Sequence, residues 1–121
     1  MTTQALLDTY YDGLAKRTGW EQTIADNFAF TGGSSNNSSV GKAAYLEAIH
    51  RFSRVVETVA VKESIVQGDA ACVIVTYGLV SPSGKRTVMD IAEVWAAQND
   101  QLMSLRIFFD TASWKAFMEI Q

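Results

Sequence analysis

The sequence contains few of the residues that form disulfides, metal centres and rigid turns. It has one cysteine, one histidine and one proline in 121 residues. The single cysteine, Cys72, cannot form an internal disulfide, and we expect it to be a buried core residue. One cysteine and one histidine are too few for a structural zinc site. We therefore predict no metal, and no motif implies an organic cofactor.

The sequence also lacks an excess of basic residues and any long apolar run. Ten Lys and Arg against 13 Asp and Glu give a net charge of −3, whereas a nucleic-acid surface carries a basic stripe. No apolar stretch approaches the ~20 residues that span a bilayer. The N-terminus has neither the charged lead nor the apolar run of a secretory signal. These absences predict a cytoplasmic protein that binds neither nucleic acid nor membrane.

Apolar residues are plentiful, and their spacing divides the chain into two halves. Hydrophobic residues make up 48% and charged residues 19% of the chain, which is typical of a globular protein. No linker interrupts it, so we predict a single domain over 1–121. The first half is helical, with Tyr45, Ile49 and Phe52 at the spacing of a buried stripe. The predicted helices span 3–17, 20–25 and 41–54, the first ended by Gly19 and the third capped by Ser39.

From residue 56 the apolar period changes to two, which indicates strands. Gly68-Asp69, Ser81-Pro82-Ser83-Gly84 and Asn99-Asp100 are turn sequences that separate four of them. The pattern predicts an α+β fold in which N-terminal helices pack on an antiparallel meander sheet. The predicted strands are 57–67, 70–80, 86–97 and 101–109; a short strand at 27–30, a loop over 31–39 and a last helix from Asp110 complete the chain.

One strand of the meander carries an acidic residue among large apolar ones. Side chains two apart share a face of a strand, so Met89, Ile91, Glu93 and Trp95 point the same way. Burying a carboxylate is costly unless it is paired or protonated. Glu93 is therefore the first candidate for a functional residue, as an acid, a base or a hydrogen-bond donor. The alternative is a structural role, in an ion pair with Arg106 or at the rim of the sheet.

The register of the last strand decides between those roles. A strict two-residue turn at Asn99-Asp100 would place Arg106 opposite Glu93. It would also turn Leu105 and Ile107, with Met103 and Phe109, away from the buried face. Four large apolar groups at ~1.5–3 kcal/mol each outweigh one ion pair. We therefore predict a one-residue bulge that places Arg106 on the opposite face.

Three segments of the second half resemble the nuclear-transport-factor-2-like superfamily. They are Glu93-Val94-Trp95, the turn at Asn99-Asp100, and the closing strand Leu102–Asp110, which ends in Phe108-Phe109-Asp110. This group includes ketosteroid isomerases, limonene epoxide hydrolases and SnoaL-like polyketide cyclases. The resemblance covers nearly the whole chain and implies its cystatin-like, cone-shaped α+β fold with a curved sheet. One fold hosts many activities, so it does not imply a particular reaction.

The resemblance also implies roles for individual residues. Tyr10 matches the first-helix tyrosine that donates to the oxyanion in ketosteroid isomerases. Glu93 matches the carboxylic acid that is the second donor. At the position of the isomerase base the sequence has Thr31-Gly32-Gly33 without a carboxylate, which argues against ketosteroid isomerase chemistry. Asp110 resembles carboxylates near the end of the sheet in cyclases and epoxide hydrolases; its alternative role is the N-cap of the last helix.

Together these features predict a SnoaL-like small-molecule-binding protein, with isomerase, cyclase or hydratase activity on an apolar, oxygen-bearing substrate. Glu93 would be the acid–base group, Tyr10 a donor and Asp110 a further catalytic candidate. The alternative is a non-catalytic ligand-binding or dimerisation module. The residues expected to line the pocket are Phe30, Phe52, Met89, Ile91, Trp95, Leu105 and Ile107.

Both faces of the central strands are apolar, although the helices can cover only one. A sheet with one wet face would alternate more cleanly between apolar and polar residues. The second face should therefore meet another protein surface. We expect a homodimer through this face of the sheet, to which the pattern assigns Val73, Val75, Leu79, Val88 and Val94.

Overall fold

The computed structural model describes residues 1–32 and 38–119. No helix in these ranges is long and apolar enough to cross a bilayer. The sheet has six strands in the order β2-β1-β6-β5-β4-β3. The helices are α1 (Thr3–Lys16), α2 (Lys42–Ser53) and α3 (Thr111–Met118), with a 3-10 turn at Glu21–Thr23; the strands are β1 (Ile24–Gly32), β2 (Ser38–Val40), β3 (Val56–Gln67), β4 (Ala70–Val80), β5 (Arg86–Gln98) and β6 (Gln101–Phe108).

The predicted meander is confirmed, and the sheet is larger than predicted. Strands β3 to β6 pair antiparallel in chain order. Strand β1 adds in parallel to β6 and extends well beyond the predicted 27–30. Pairing with β6 gives partners to an edge that would otherwise expose its backbone groups. The predicted helix 20–25 is therefore reduced to a 3-10 turn before β1. The predicted loop 31–39 ends in strand β2, and its centre, 33–37, lies outside the described residues.

Local backbone chemistry sets the ends of the helices. The Thr2 side chain caps α1 by accepting a hydrogen bond from the backbone N–H of Ala5 at 3.1 Å. This helix ends at Arg17, whose φ of 65° is left-handed, rather than at the predicted Gly19. Helix α2 starts after Gly41 rather than after the predicted cap, Ser39. At φ 111°, Gly41 adopts a conformation that suits glycine.

The predicted bulge in β6 is confirmed. Asn99 and Asp100 form a two-residue turn with φ values of 53° and 62°, so Gln98 pairs with Gln101. The register then shifts by one residue at Ala96/Ala97, and Glu93 faces Ile107 while Arg106 pairs with Val94. Arg106 is therefore on the face of the sheet opposite Glu93, and it is exposed.

The face of the sheet that carries Glu93 packs against α1 and α2; we call it the inner face. Val73, Val75 and Leu79 lie on it, each at most 1% exposed, so their assignment to a dimer surface is corrected. The outer face carries Val88 at 70% and Phe108 at 53% exposure. The homodimer stays a prediction. By register, Cys72, Ile74 and Val94 also belong to the outer face. Cys72 is half-buried there, so the prediction that it is a buried core residue was wrong.

Candidate functional site

Glu93 is buried on the inner face and is held by two tyrosine hydroxyls. It is 5% exposed. Tyr11 of α1 donates to its Oε1, and Tyr77 of β4 donates to its Oε2 at 2.9 Å. The indole Nε1 of Trp95 in turn donates to the Tyr11 hydroxyl at 2.9 Å. Both carboxylate oxygens therefore have partners, and neither partner is a cation.

This environment brings the Glu93 carboxyl group into the neutral range. Burial raises its pKa from 4.5 to about 7, and the hydrogen bonds from Tyr11 and Tyr77 oppose that rise because they favour the charged form. Burial also raises the pKa of both tyrosines far above the usual range, so they remain neutral donors. A group with a pKa near 7 populates both protonation states at neutral pH, as an acid–base catalyst requires.

A second tyrosine pair lies next to this carboxylate. The hydroxyl oxygens of Tyr10 and Tyr45 are 2.5 Å apart, and each residue is 1% exposed. If Tyr45 donated to Tyr10, the Tyr10 proton would have no acceptor among the described residues, which costs about 1–3 kcal/mol. If Tyr10 donates, the proton of Tyr45 remains available to a ligand. Burial raises the pKa of both hydroxyls, so this donor is also neutral.

Glu93 and Tyr45 line a cavity of about 170 Å³ between α2, the inner face and α3. Among the described residues that line it, Glu93 is the single charged side chain. Five of the predicted lining residues lie in the wall, together with the predicted Glu93. The other six wall residues, Tyr77 among them, were not predicted. The full lining is Phe30, Tyr45, Ala48, Ile49, Phe52, Tyr77, Ile91, Glu93, Leu105, Ile107, Phe109 and Trp114.

Two predicted lining residues, Met89 and Trp95, are on the inner face but outside the cavity wall. Trp95 is 2% exposed and packs edge-on against Tyr10, with ring centroids 4.7 Å apart. Met89 is 8% exposed and pairs with Tyr77 across the β4–β5 ladder. Strand alternation assigned both residues to the correct face. It does not specify which residues along that face the helices cover.

Neither Tyr10 nor Asp110 hydrogen-bonds to Glu93. Successive residues of a helix point about 100° apart, since 3.6 residues make one turn, and it is Tyr11 that reaches the carboxylate. Tyr10 lies behind Tyr45. Asp110 is exposed at the start of α3, where its Oδ1 accepts a hydrogen bond from the backbone N–H of Ser113 at 3.0 Å. Hydrogen bonds from Ser113 lower the pKa of Asp110, and it acts as the N-cap.

The capping role of Asp110 predicts a separation of stability from binding. Asp110→Ala should lower the thermal stability slightly, because the first turn of α3 loses its side-chain acceptor. Asp110→Asn keeps a capping side chain and should retain both stability and ligand affinity. Thermal unfolding and ligand titration of the two variants test this. Loss of binding in Asp110→Asn would instead indicate that the Asp110 carboxylate takes part in ligand binding.

The two neighbouring tyrosines of α1 give a matched pair of variants. Tyr11→Phe removes a donor that favours ionised Glu93, so the pKa of Glu93 should rise above about 7. Tyr10→Phe removes a hydroxyl that bonds only to Tyr45 among the described residues, and should change that pKa far less. An NMR titration of the Glu93 side chain in both variants provides the measurement. Equal shifts would contradict the assignment of Tyr11 as its partner.

The chain resembles known proteins in its three-dimensional structure. No family model and no curated protein matches the sequence. The chain superposes on a protein from Burkholderia pseudomallei K96243 described as NTF2-like, with a TM-score of 0.88 over 98% of both chains at 17% identity. It also superposes on a candidate SnoaL-like polyketide cyclase from Jannaschia sp. CCS1, with a TM-score of 0.75 over 98% of this chain and 93% of that one at 19% identity.

The chain has the nuclear-transport-factor-2-like fold. The α+β cone fold predicted from the sequence is thereby confirmed. A third solved structure with this fold is TerC co-crystallised with polyporic acid, with a TM-score of 0.83 over 95% of this chain and 96% of that one at 18% identity. At these identities the NTF2-like fold is shared, while the chemistry has to come from this chain's own cavity.

Proposed function

We propose that this protein binds an apolar, oxygen-bearing small molecule and that Glu93 transfers a proton on it. The observation that carries this proposal is the position of Glu93, a buried carboxyl group without a cationic partner in the wall of an otherwise uncharged cavity. An ionised carboxylate has about four lone-pair positions, and the two tyrosines occupy two of them. Glu93 can therefore still accept a proton from a ligand.

One acid–base group suits a reaction in which the same proton is removed and returned. Glu93 would take a hydrogen from a carbon next to a carbonyl: that C–H bond breaks and an O–H bond forms on Glu93. The electron pair moves into a C=C bond, and negative charge develops on the carbonyl oxygen. Tyr45, backed by Tyr10, donates a hydrogen bond to this oxygen. In a ketone that also carries a C=C bond at the β,γ position, the O–H bond on Glu93 then breaks and its proton returns to the γ carbon. The carbonyl re-forms, and the isomerisation needs no co-reactant.

The charged residues fit this reaction better than hydrolysis of an epoxide. A carboxylate–guanidinium–carboxylate array would need Arg106 and Asp110 beside Glu93. Arg106 lies on the outer face and Asp110 caps α3, so neither lines the cavity. Apolar walls also offer a reacting water few hydrogen-bond partners.

A second candidate function is non-catalytic binding of the same class of ligand. It is favoured by the two hydrogen bonds that Glu93 already accepts, because they make the carboxyl group a satisfied structural element. The two functions share the cavity and differ in proton transfer. A carrier would bind ligands without accelerating the exchange of their hydrogens.

Deuterium exchange distinguishes them. Cyclohexanone in D₂O is incubated with the protein, and NMR follows the loss of the hydrogens next to its carbonyl. We expect faster exchange than in buffer, with the rate falling as Glu93 becomes protonated below about pH 7. Arg106→Gln, on the outer face, is the control and should exchange at the wild-type rate. Binding without faster exchange would favour the carrier and reject proton transfer.

A further inference from the structure

We propose that the cavity selects a single uncharged ring that bears one oxygen acceptor, such as a cyclic ketone or a phenol, and rejects polycyclic and anionic molecules. This inference rests on the proposed function and narrows its substrate class. It follows from the volume of the cavity, from the side chains that fill the fold behind it, and from the charges of its wall.

The volume admits about one ring. A protein cavity of about 150 Å³ lined by apolar side chains holds one benzene molecule, and this cavity measures about 170 Å³. A six-membered ring with its oxygen therefore fills it. A four-ring molecule would have to leave most of its rings outside the cavity.

Aromatic side chains behind the cavity keep it small. Phe28 packs against Tyr45 with ring centroids 4.5 Å apart, and Tyr10 packs against Trp95 at 4.7 Å. Trp20 contacts both Tyr10 and Tyr45, at 5.7 and 6.4 Å. These five residues are at most 3% exposed. These rings fill the fold behind Tyr45, and the cavity ends at Tyr45, Tyr77 and Glu93.

The cavity wall has an aromatic part and an aliphatic part. Phe52 of α2 contacts Tyr77 and Trp114, with ring centroids 5.1 and 5.9 Å apart. The lining also includes Ile91, Leu105 and Ile107 of the inner face, which are aliphatic. A ring in the cavity would contact apolar carbon from both parts, while its oxygen accepts a hydrogen bond from Tyr45.

The charge of the wall opposes anions. In the part of the wall that the structure describes there is no Lys, Arg or His, and the one charged group is the Glu93 carboxyl. A bound carboxylate or phosphate would lose its hydration without gaining a cation and would be repelled by ionised Glu93. A neutral carbonyl avoids both costs and still accepts a hydrogen bond.

Binding of matched probes tests the selection. Cyclohexanone, para-cresol, cyclohexanecarboxylate and a four-ring steroid ketone are titrated into the wild-type protein by calorimetry at about pH 8, where Glu93 is mostly ionised. We expect the two neutral single-ring probes to bind at least about tenfold more tightly than the carboxylate. The steroid should not bind. In Glu93→Gln, the difference in affinity between cyclohexanone and cyclohexanecarboxylate should become smaller.

Variants at the mouth test the limit on size. Trp114→Ala removes a half-buried ring from the wall and should admit a two-ring phenol such as naphthol, which the wild type excludes. Phe108→Ala removes an exposed ring from the outer face and is the control that should change nothing. Comparable wild-type affinities for cyclohexanone and either the carboxylate or the steroid would overturn the inference, as would the failure of both neutral probes to bind at millimolar concentration.

The outcomes separate this inference from the proposed function. Selective binding of cyclohexanone without faster deuterium exchange would support the selection and reject proton transfer. Faster exchange on the steroid ketone would support proton transfer and reject the selection for a single ring.

Discussion

Glu93→Gln should reduce the protein's acceleration of deuterium exchange in cyclohexanone by roughly 10²–10⁴-fold, the usual contribution of a positioned acid–base group. Glutamine has nearly the same shape and still offers one oxygen to the tyrosine hydroxyls, but it cannot take a proton from carbon. Affinity for the ketone should change little, because the apolar walls are intact. The rate comes from NMR and the affinity from calorimetry, on the same samples.

The control for this variant is Glu63→Gln, an equal change of charge at an exposed position of β3. It should exchange at the wild-type rate. If Glu93→Gln exchanged at the wild-type rate, another group would have to move the proton, even if binding follows our prediction.

The second large effect is on stability. Glu93 has a pKa of about 7 in the fold against 4.5 as an ordinary glutamate, so the folded state binds its proton more tightly than the unfolded state does. The stabilisation from this proton is complete below pH 4.5 and is lost as the pH rises to about 7. The shift corresponds to a loss on the order of 3 kcal/mol, at 1.36 kcal/mol per pKa unit.

This loss should be absent from Glu93→Gln, because the amide does not titrate. Urea unfolding of both proteins at several pH values gives the difference between their unfolding free energies, from which the other titrating groups cancel. The wild type should become progressively less stable relative to the variant across this interval. A difference that stays constant with pH would mean that burial does not perturb Glu93.

The sequence was sufficient to predict the register of the site. The bulge in β6 followed from comparing the burial of Leu105 and Ile107 with a single ion pair to Arg106, and the structure has this bulge. This prediction was possible because the free energy of burying apolar side chains adds up over several residues. The alternation of apolar and polar residues along the strand shows which of them are buried. Glu93 itself stood out because its neighbours two residues away are apolar.

The hydrogen-bond partners of Glu93 could be predicted only partly from the sequence. Tyr77 shares the inner face, and the register set by the turn at 81–84 could have placed it near the carboxylate. The choice between Tyr10 and Tyr11 depends on how α1 is rotated against the sheet, and both tyrosines lie on its buried stripe. That rotation results from the packing of many side chains, so the sequence pattern of the helix alone does not determine it.

Strand β1 was mostly missed for a different reason. Its pairing with β6 shifts between Ile24 and Ala29, and its buried residues do not alternate strictly. A strand with an irregular register loses the period of two by which strands are recognised.

The central claim is that Glu93 is a buried acid–base group that titrates near neutral pH in a cavity. An NMR titration of its side-chain carboxyl carbon, assigned by comparison with Glu93→Gln, tests this most directly. The account predicts an apparent pKa of about 7, which changes when cyclohexanone fills the cavity. A value at or below 4.5, the ordinary value for this side chain, that does not respond to the ketone would contradict it.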